Sequence, residues 1–197
     1  MWLRDCWQAA AYSSEIEHAL FPRRLLDEPV VFYRTSAGAV VALSSSDSTV
    51  ASVPASVTVA SGSSTSPTFT ITTTAVAANT PVTISANYGG VTKTASLTVN
   101  APVLSSLRLS PATVVGGHST TRNTVTLNGA APAGGAVVML TSGDSTVASP
   151  PATVTVAAGS TSATFTITTT AVTSSTVVPI TATFGGVTKS ANLTVNP

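Results

Sequence analysis

The stretch "DSTVASPPATVTVAAGSTSATFTITTTAV" at residues 144–172 decides the fold, because the chain contains it twice. Residues 47–76 read "DSTVASVPASVTVASGSSTSPTFTITTTAV", with one extra residue near Ser66 and Pro67. The match continues from residues 81–100 to residues 177–196, and the copies lie 97 residues apart before the extra residue and 96 after it. This spacing is the length of one β-sandwich domain and is too long for a solenoid turn.

The second copy has a complete set of predicted strands. Phe165 and Ile167 alternate with threonines, which is the period of a half-buried strand. Gly185 and Gly186 permit the positive φ angles of a two-residue hairpin. Short β segments with turn residues between them are typical of an immunoglobulin-like sandwich. The predicted strands are A near 106–115, B at 124–128, C at 136–141, D at 152–157, E at 163–170, F at 178–184 and G at 187–196.

The first copy begins only at strand C, so we predict an all-β chain of two tandem immunoglobulin-like β-sandwiches, the first incomplete or completed by a foreign segment. The expected domains are residues 1–38, a truncated repeat at 39–102 with strands C to G, and a complete repeat at 103–197. A sandwich without strands A and B exposes a sheet edge. Segments around residues 6–12 and 30–34 could substitute for A and B, or a neighbouring molecule could supply a strand.

Composition limits the possible functions. Only 8% of the 197 residues are charged and the formal net charge is +1, so no basic surface for nucleic acid is expected. No run of about 18 apolar residues exists, so we expect no membrane insertion. Asp5, Glu15 and Glu17 interrupt the first residues, and no signal peptide is visible there.

The repeats resemble a known family. The motifs "VTLNGAAPAGGAVVMLTS", "STVASPPATVTVAAGSTSATFTITTTAV" and "ITATFGGVTKSANLTVNP" are similar to the tandem bacterial immunoglobulin-like repeats of surface and secreted proteins. The resemblance covers about residues 39–197. It implies an extracellular or cell-surface location, a spacer or cell-adhesion role, and no catalytic residue. Self-association, or contacts with protein or carbohydrate, would then use strand edges and loops.

The first 43 residues resemble something else. "LRDCWQAAAYSSEI" and "EPVVFYRTSAGAVVAL" are similar to the amino terminus of Rieske-type aromatic-ring oxygenases. A Rieske cluster needs two cysteines and two histidines. Cys6, His18 and His118 lack the spacing of that site, and a single cysteine excludes an internal disulfide. We therefore expect no cofactor, no metal and no enzyme activity.

The join near residue 39 indicates a chimeric chain. The predicted function is a non-catalytic structural or adhesion-type module of a bacterial surface or secreted protein. The alternative is a non-functional or remnant Rieske-type oxygenase fusion without its cluster or catalytic iron site. Whether the fusion is natural stays open at this stage.

Other residues that suggest chemistry each have a simpler interpretation. Asp47 and Asp144 follow strand C, but calcium needs six to eight oxygen ligands, so turn-forming aspartates are favoured. His118 lies in "GGHST" without a nucleophile elbow, which favours an exposed loop histidine. The Arg23 and Arg24 pair is neutralised by nearby acidic residues.

Three surface features complete the candidates. Asn192 begins a glycosylation sequon, but it falls in a predicted strand. The Ser/Thr-rich runs "TITTT" and "SGSSTS" are predicted to be solvent faces of strands. The aromatic residues of the first segment are expected to form a small core or an exposed patch: Trp2, Trp7, Phe32 and Tyr33. No catalytic, cofactor-binding or metal-binding residue is predicted.

Overall fold

A computed structural model describes residues 38–197 and the backbone of β1 (Phe21–Leu25) and β2 (Glu28–Phe32). All regular secondary structure in these described residues is β-strand, and the strands form several sheets in a sandwich-like arrangement. The all-β prediction is therefore confirmed. No helix in the described part of the chain is long and apolar enough to cross a membrane.

The strands of the second repeat form two sheets. They are β9 (Leu104–Arg108), β10 (Thr113–Val115), β11 (Thr120–Leu127), β12 (Ala136–Ser142), β13 (Ala148–Ser149), β14 (Thr153–Val156), β15 (Ser162–Thr169), β16 (Thr176–Phe184) and β17 (Val187–Asn196). One sheet has the order β10-β17-β16-β12-β14 and the other has the order β13-β15-β11-β9. The β16–β17 hairpin pairs Phe184 with Val187, and Gly185 and Gly186 between them have φ of 60° and 75°, as predicted.

The prediction of one continuous strand A is wrong, because this region forms two strands, β9 and β10. β9 pairs antiparallel with β11, whereas β10 crosses to the other sheet and pairs parallel with β17. Pro111 lies between the two strands and has no N–H with which to continue the first ladder. Strand B also begins earlier than predicted, at Thr120, because Thr120 and Asn123 already pair with Ile167 and Phe165 of β15, with an irregularity between them.

The core of the second repeat lies between its two sheets. Phe165 is 6% exposed and Ile167 is fully buried, while the threonines between and beside them face solvent. Aliphatic side chains from both sheets close around them, including Val125, Val138, Ile180 and Leu193, which are all fully buried. The alternation read from residues 163–170 therefore identifies the buried face correctly.

The first repeat has fewer strands among the described residues. They are β3 (Ala39–Ser45), β4 (Ala51–Ser52), β5 (Ser56–Val59), β6 (Thr72–Thr73), β7 (Thr80–Tyr88) and β8 (Val91–Val99). One sheet has the order β5-β3-β7-β8, and β4 pairs only with β6. A small core contains Ala51, Val82 and Ile84.

The strands β1 and β2 form an antiparallel pair in which Phe21 lies opposite Phe32 and Leu25 lies opposite Glu28. The segment around Val30 therefore pairs with β1, the strand that precedes it in the sequence. The other proposed substitute strand, residues 6–12, lies outside the described residues. The substitution for strands A and B stays a prediction.

The chain divides into two compact units. One comprises Met1–Leu43, Pro54–Thr70 and Ala86–Lys93. The other comprises Ser44–Val53, Ile71–Ser85 and Thr94–Pro197, so it holds the whole second repeat and part of the first. The predicted domain boundaries at 38/39 and 102/103 stay predictions.

Candidate functional site

Asp144 closes a turn after β12. Its Oδ1 accepts hydrogen bonds from the Thr146 hydroxyl at 2.6 Å and the Thr146 amide at 3.0 Å. Its carbonyl accepts from the Ala148 amide at 3.0 Å. The Thr146 hydroxyl and amide hold the pKa of the Asp144 carboxyl below its ordinary value, because both bonds favour the charged form.

Asp47 repeats this arrangement after β3. Its Oδ1 accepts from the Thr49 hydroxyl at 2.6 Å and the Thr49 amide at 3.0 Å. The same two groups lower the pKa of the Asp47 carboxyl. No group of three or more His, Cys, Asp or Glu that could hold a metal ion occurs within the described residues. The hydrogen bonds to Thr49 and Thr146 place both aspartates in turns.

A threonine at the end of strand E ties each turn to the sheet. The Thr170 hydroxyl donates to the Thr146 carbonyl at 2.6 Å, and the Thr170 amide donates to the Val147 carbonyl at 3.0 Å. In the first repeat, the Thr74 hydroxyl donates to the Thr49 carbonyl, also at 2.6 Å. In each repeat, the last threonine of the "TITTT" motif thus hydrogen-bonds to the turn formed by the "DSTVAS" motif. Sequence analysis missed this pairing, although the motifs recur together.

The two turns differ in how they contact strand F, which is β7 in the first repeat and β16 in the second. In the first repeat, the Ser46 amide donates to the Thr83 carbonyl and the Thr83 amide donates to Ser46 Oγ, both at 2.9 Å. In the second repeat, Gly143 and Pro179 occupy these positions, and only the Gly143 amide to Pro179 carbonyl bond remains, at 2.8 Å. Proline has no amide hydrogen, so a serine hydroxyl would have no donor there.

A buried asparagine joins three segments of the second repeat. Asn123 is fully buried, and its Nδ2 donates to Thr120 Oγ1 at 2.8 Å and to the Phe165 carbonyl at 3.2 Å. Its Oδ1 accepts from the Ser110 amide at 3.2 Å. No buried side-chain nitrogen or oxygen of the described residues lacks a hydrogen-bond partner. Asn123 is therefore a satisfied structural residue at the point where β9 leads into β10.

The matched positions of the two repeats differ in burial. Phe69 is 37% exposed, whereas its equivalent Phe165 is 6% exposed. Leu97 and Val99 are partly buried, whereas Leu193 and Val195 are fully buried. In the second repeat β9, β10 and β11 complete the two sheets, and no counterpart of these strands joins the first-repeat sheets within the described residues.

A cavity of about 270 Å³ lies at the end of the first repeat. This volume is below the 300–1,000 Å³ range typical of small-molecule pockets. The side-chain oxygen of Asn128, a lining residue, accepts the Val103 amide at 2.8 Å, which fixes the chain where the second repeat begins. The cavity is lined by Thr73, Thr74, Ala75, Val99, Asn100, Ala101, Pro102, Asn128, Gly129 and Ala130.

The remaining candidates lie apart from this cavity. The His118 side chain is exposed, and its carbonyl accepts the Thr169 hydroxyl at 2.6 Å. Asn192 is exposed in β17, opposite Pro179. Thr166 and Thr168 of the "TITTT" run face solvent as predicted, but the prediction is wrong for Thr169, which is buried where its hydroxyl donates to the His118 carbonyl. The "SGSSTS" run at 61–66 is not a strand face either, because it lies in a turn in which Gly62 has φ of 82°. Cys6, His18, Trp2, Trp7 and Tyr33, and the side chains of Arg23, Arg24 and Phe32, lie outside the described residues.

Comparisons with known proteins find partial similarities. The chain is 52% identical over 44 residues to the toluene-4-sulfonate monooxygenase system iron-sulfur subunit TsaM1 of Comamonas testosteroni, which is 22% of this chain and 13% of that protein. It is also similar to domains 4–9 of the surface layer protein SbsC, with a TM-score of 0.34 and 22% identity, over 89% of this chain and 24% of that one. No family model matches. The resemblance to an oxygenase iron–sulfur subunit is therefore supported over a short segment, and no family is shown for the repeats.

Proposed function

We propose that residues 39–197 are a non-catalytic structural module of the immunoglobulin-like repeat type, belonging to a bacterial surface or secreted protein. The observation that carries the proposal is that the acidic side chains of these residues serve as hydrogen-bond acceptors in turns. Asp47 and Asp144 are the two carboxylates in residues 38–197, and both are held in turns by threonine hydroxyls and amides. A general acid or base needs a group that is free to exchange a proton with a substrate.

The strand order of the second repeat suits a spacer that resists extension. β10 lies near the start of the repeat and β17 at its end, and the two pair in parallel. The Gly116 amide donates to the Asn196 carbonyl, and the Thr194 amide donates to the Ala112 carbonyl, both at 2.8 Å. A force applied between the ends of this repeat runs along these strands, so the bonds between them must break together.

Single-molecule stretching of the full chain tests the proposal. We expect the second repeat to unfold in one step that releases about 30 nm, from its 95 residues at roughly 3.5 Å each less the folded length. Thr194→Pro removes one donor between β10 and β17 and should lower the unfolding force. The matched Thr98→Pro variant of the first repeat should leave that step unchanged. Gradual extension without such a step would contradict the proposal.

A chimeric origin of the chain is the second candidate, and the 44-residue match to an oxygenase iron-sulfur subunit favours it. We propose that the amino-terminal segment is a remnant without the cluster and catalytic iron site of such an enzyme. Iron analysis and an absorption spectrum of the purified chain test this. The proposal expects no stoichiometric iron and no cluster absorption, and a bound cluster would overturn it.

A further inference from the structure

The end of strand G is covered in one repeat and bare in the other. In the second repeat, β10 pairs with Thr194, Val195 and Asn196 of β17. The equivalent residues of the first repeat are Thr98, Val99 and Asn100. β8 is the last strand of its sheet, and no strand of the described residues pairs with its outer side at these positions.

The cavity lies where a counterpart of β10 would end. Gly116, just after β10, approaches Thr170 and Ala171 so closely that an added Cβ would lie 2.7 Å from the Thr170 carbonyl oxygen and 2.9 Å from the Ala171 Cα. The equivalents of these two residues in the first repeat are Thr74 and Ala75, and both line the cavity. The space beside them therefore matches the place that Gly116 fills in the second repeat.

The hydrogen-bonding groups of this place are repeated as well. In the second repeat, the incoming strand is held by the Thr194 amide, the Asn196 carbonyl and the Thr169 hydroxyl. Thr98, Asn100 and Thr73 supply the same groups in the first repeat. The Thr73 side chain is exposed, and Val99 between the other two is only partly buried.

We propose that the outer edge of β8 at residues 98–100, with the adjoining cavity, is a binding site for an extended segment of a second polypeptide. The occupant is the strand equivalent to β10 from another repeat of this kind. Its sequence pattern is Ala-Thr-Val-Val-Gly-Gly, as at residues 112–117 of this chain. It runs parallel to β8, its threonine and valines form the ladder, and its first glycine enters the cavity. This is β-strand addition, in which main-chain bonds supply affinity and small pockets supply specificity.

The glycine sets the specificity of this site. In the second repeat, a side chain on Gly116 would meet main-chain atoms of Thr170, Ala171 and Val172, which cannot move aside as a flexible side chain does. Thr74 and Ala75 are the equivalent residues at the proposed site, so the same restriction applies there. Segments with a β-branched residue there are therefore excluded. The proposal goes beyond the structural role above and does not depend on it.

The test adds a synthetic peptide, "SPATVVGGHS" from residues 110–119, to the isotope-labelled full chain. Nuclear magnetic resonance then follows hydrogen exchange of the Thr98 amide, with the Thr194 amide of the same molecule as internal reference. Without peptide, we expect Thr98 to exchange at least tenfold faster than Thr194. Saturating peptide should slow Thr98 toward Thr194 and shift the signals of residues 98–100.

Two controls define the result. A peptide with Gly116→Val should leave Thr98 exchange unchanged, and the Thr98→Pro chain should show no peptide-induced shift at Asn100. Equal protection by both peptides, or no effect of the original peptide at millimolar concentration, would overturn the proposal. Thr98 as protected as Thr194 before any peptide is added, at every protein concentration, would also overturn it, because another segment of the chain would then fill the site.

Discussion

Gly143 donates its amide to the Pro179 carbonyl at 2.8 Å, and a Cβ on Gly143 would lie 2.6 Å from Pro179 Cγ. At the equivalent positions, Ser46 and Thr83 exchange two hydrogen bonds of 2.9 Å. The two repeats thus solve the same contact in two ways, each with a matched pair of residues. A serine from the first pair does not fit against the proline of the second.

This pairing predicts strong coupling between positions 143 and 179. Gly143→Ser forces its Cβ against the proline ring, so we expect a lower unfolding free energy than in the native chain. The double variant Gly143→Ser/Pro179→Thr should recover most of that loss, because it recreates the Ser46 and Thr83 arrangement. Urea unfolding of the four members of the cycle measures the coupling, and a purely additive double variant would contradict the matched-pair explanation.

The aspartate turns predict a loss of stability in acid. Hydrogen bonds to Thr49 and Thr146 lower the pKa values of Asp47 and Asp144 in the folded chain relative to the unfolded chain. Their contribution is therefore complete above the unfolded value of about 4 and is lost as the pH falls through the lowered folded values. Melting temperature against pH checks this. In the Asp47→Asn/Asp144→Asn variant the amide oxygen still accepts hydrogen bonds, and the decline below about pH 4 should be smaller than in the native chain.

Asn123 is predicted to be the most sensitive polar side chain of the second repeat. Asn123→Ala leaves the buried Thr120 hydroxyl and the half-buried Ser110 amide without their partner, and an unsatisfied buried group costs about 1–3 kcal/mol. The control Asn192→Ala removes an exposed asparagine and should change the unfolding free energy by less than about 0.5 kcal/mol. Chemical denaturation of both variants measures the difference. Equal effects would show that the Asn123 bonds do not hold the β9 to β10 connection.

The strands could be predicted from sequence where burial alternates cleanly. Phe165 and Ile167 mark the buried face of strand E, and Gly185 and Gly186 mark the hairpin between strands F and G. Both signals are readable because strand alternation and hairpin turns depend on local backbone geometry. The switch of strand A between sheets at Pro111 was missed. Asn123 Oδ1 accepts the Ser110 amide beside that switch, and a tertiary contact of this kind has no periodic signature in the sequence.

The candidate site could be predicted only in outline. A truncated first repeat indicates an exposed edge, and the missing strands are visible from the repeat alignment alone. The cavity and its glycine requirement are not visible, because they arise from how Thr74, Ala75 and residues 128–130 come together in space. The link between each aspartate turn and its threonine has a signal in the sequence, since both motifs recur at the same spacing.

The chain holds two copies of one sandwich-like repeat, of which only the second has its covering strands among the described residues. Phe69 and Phe165 occupy the same position in the two copies, with 37% and 6% of their surfaces exposed. The most direct measurement is the loss of unfolding free energy of each repeat on Phe69→Ala and on Phe165→Ala, followed by the resonances of that repeat during urea titration. We expect Phe165→Ala to cost about 3–5 kcal/mol, as for a buried aromatic residue, and Phe69→Ala to cost less than half of that. Equal losses at the two positions would show that the first repeat is as fully covered as the second and would contradict the account.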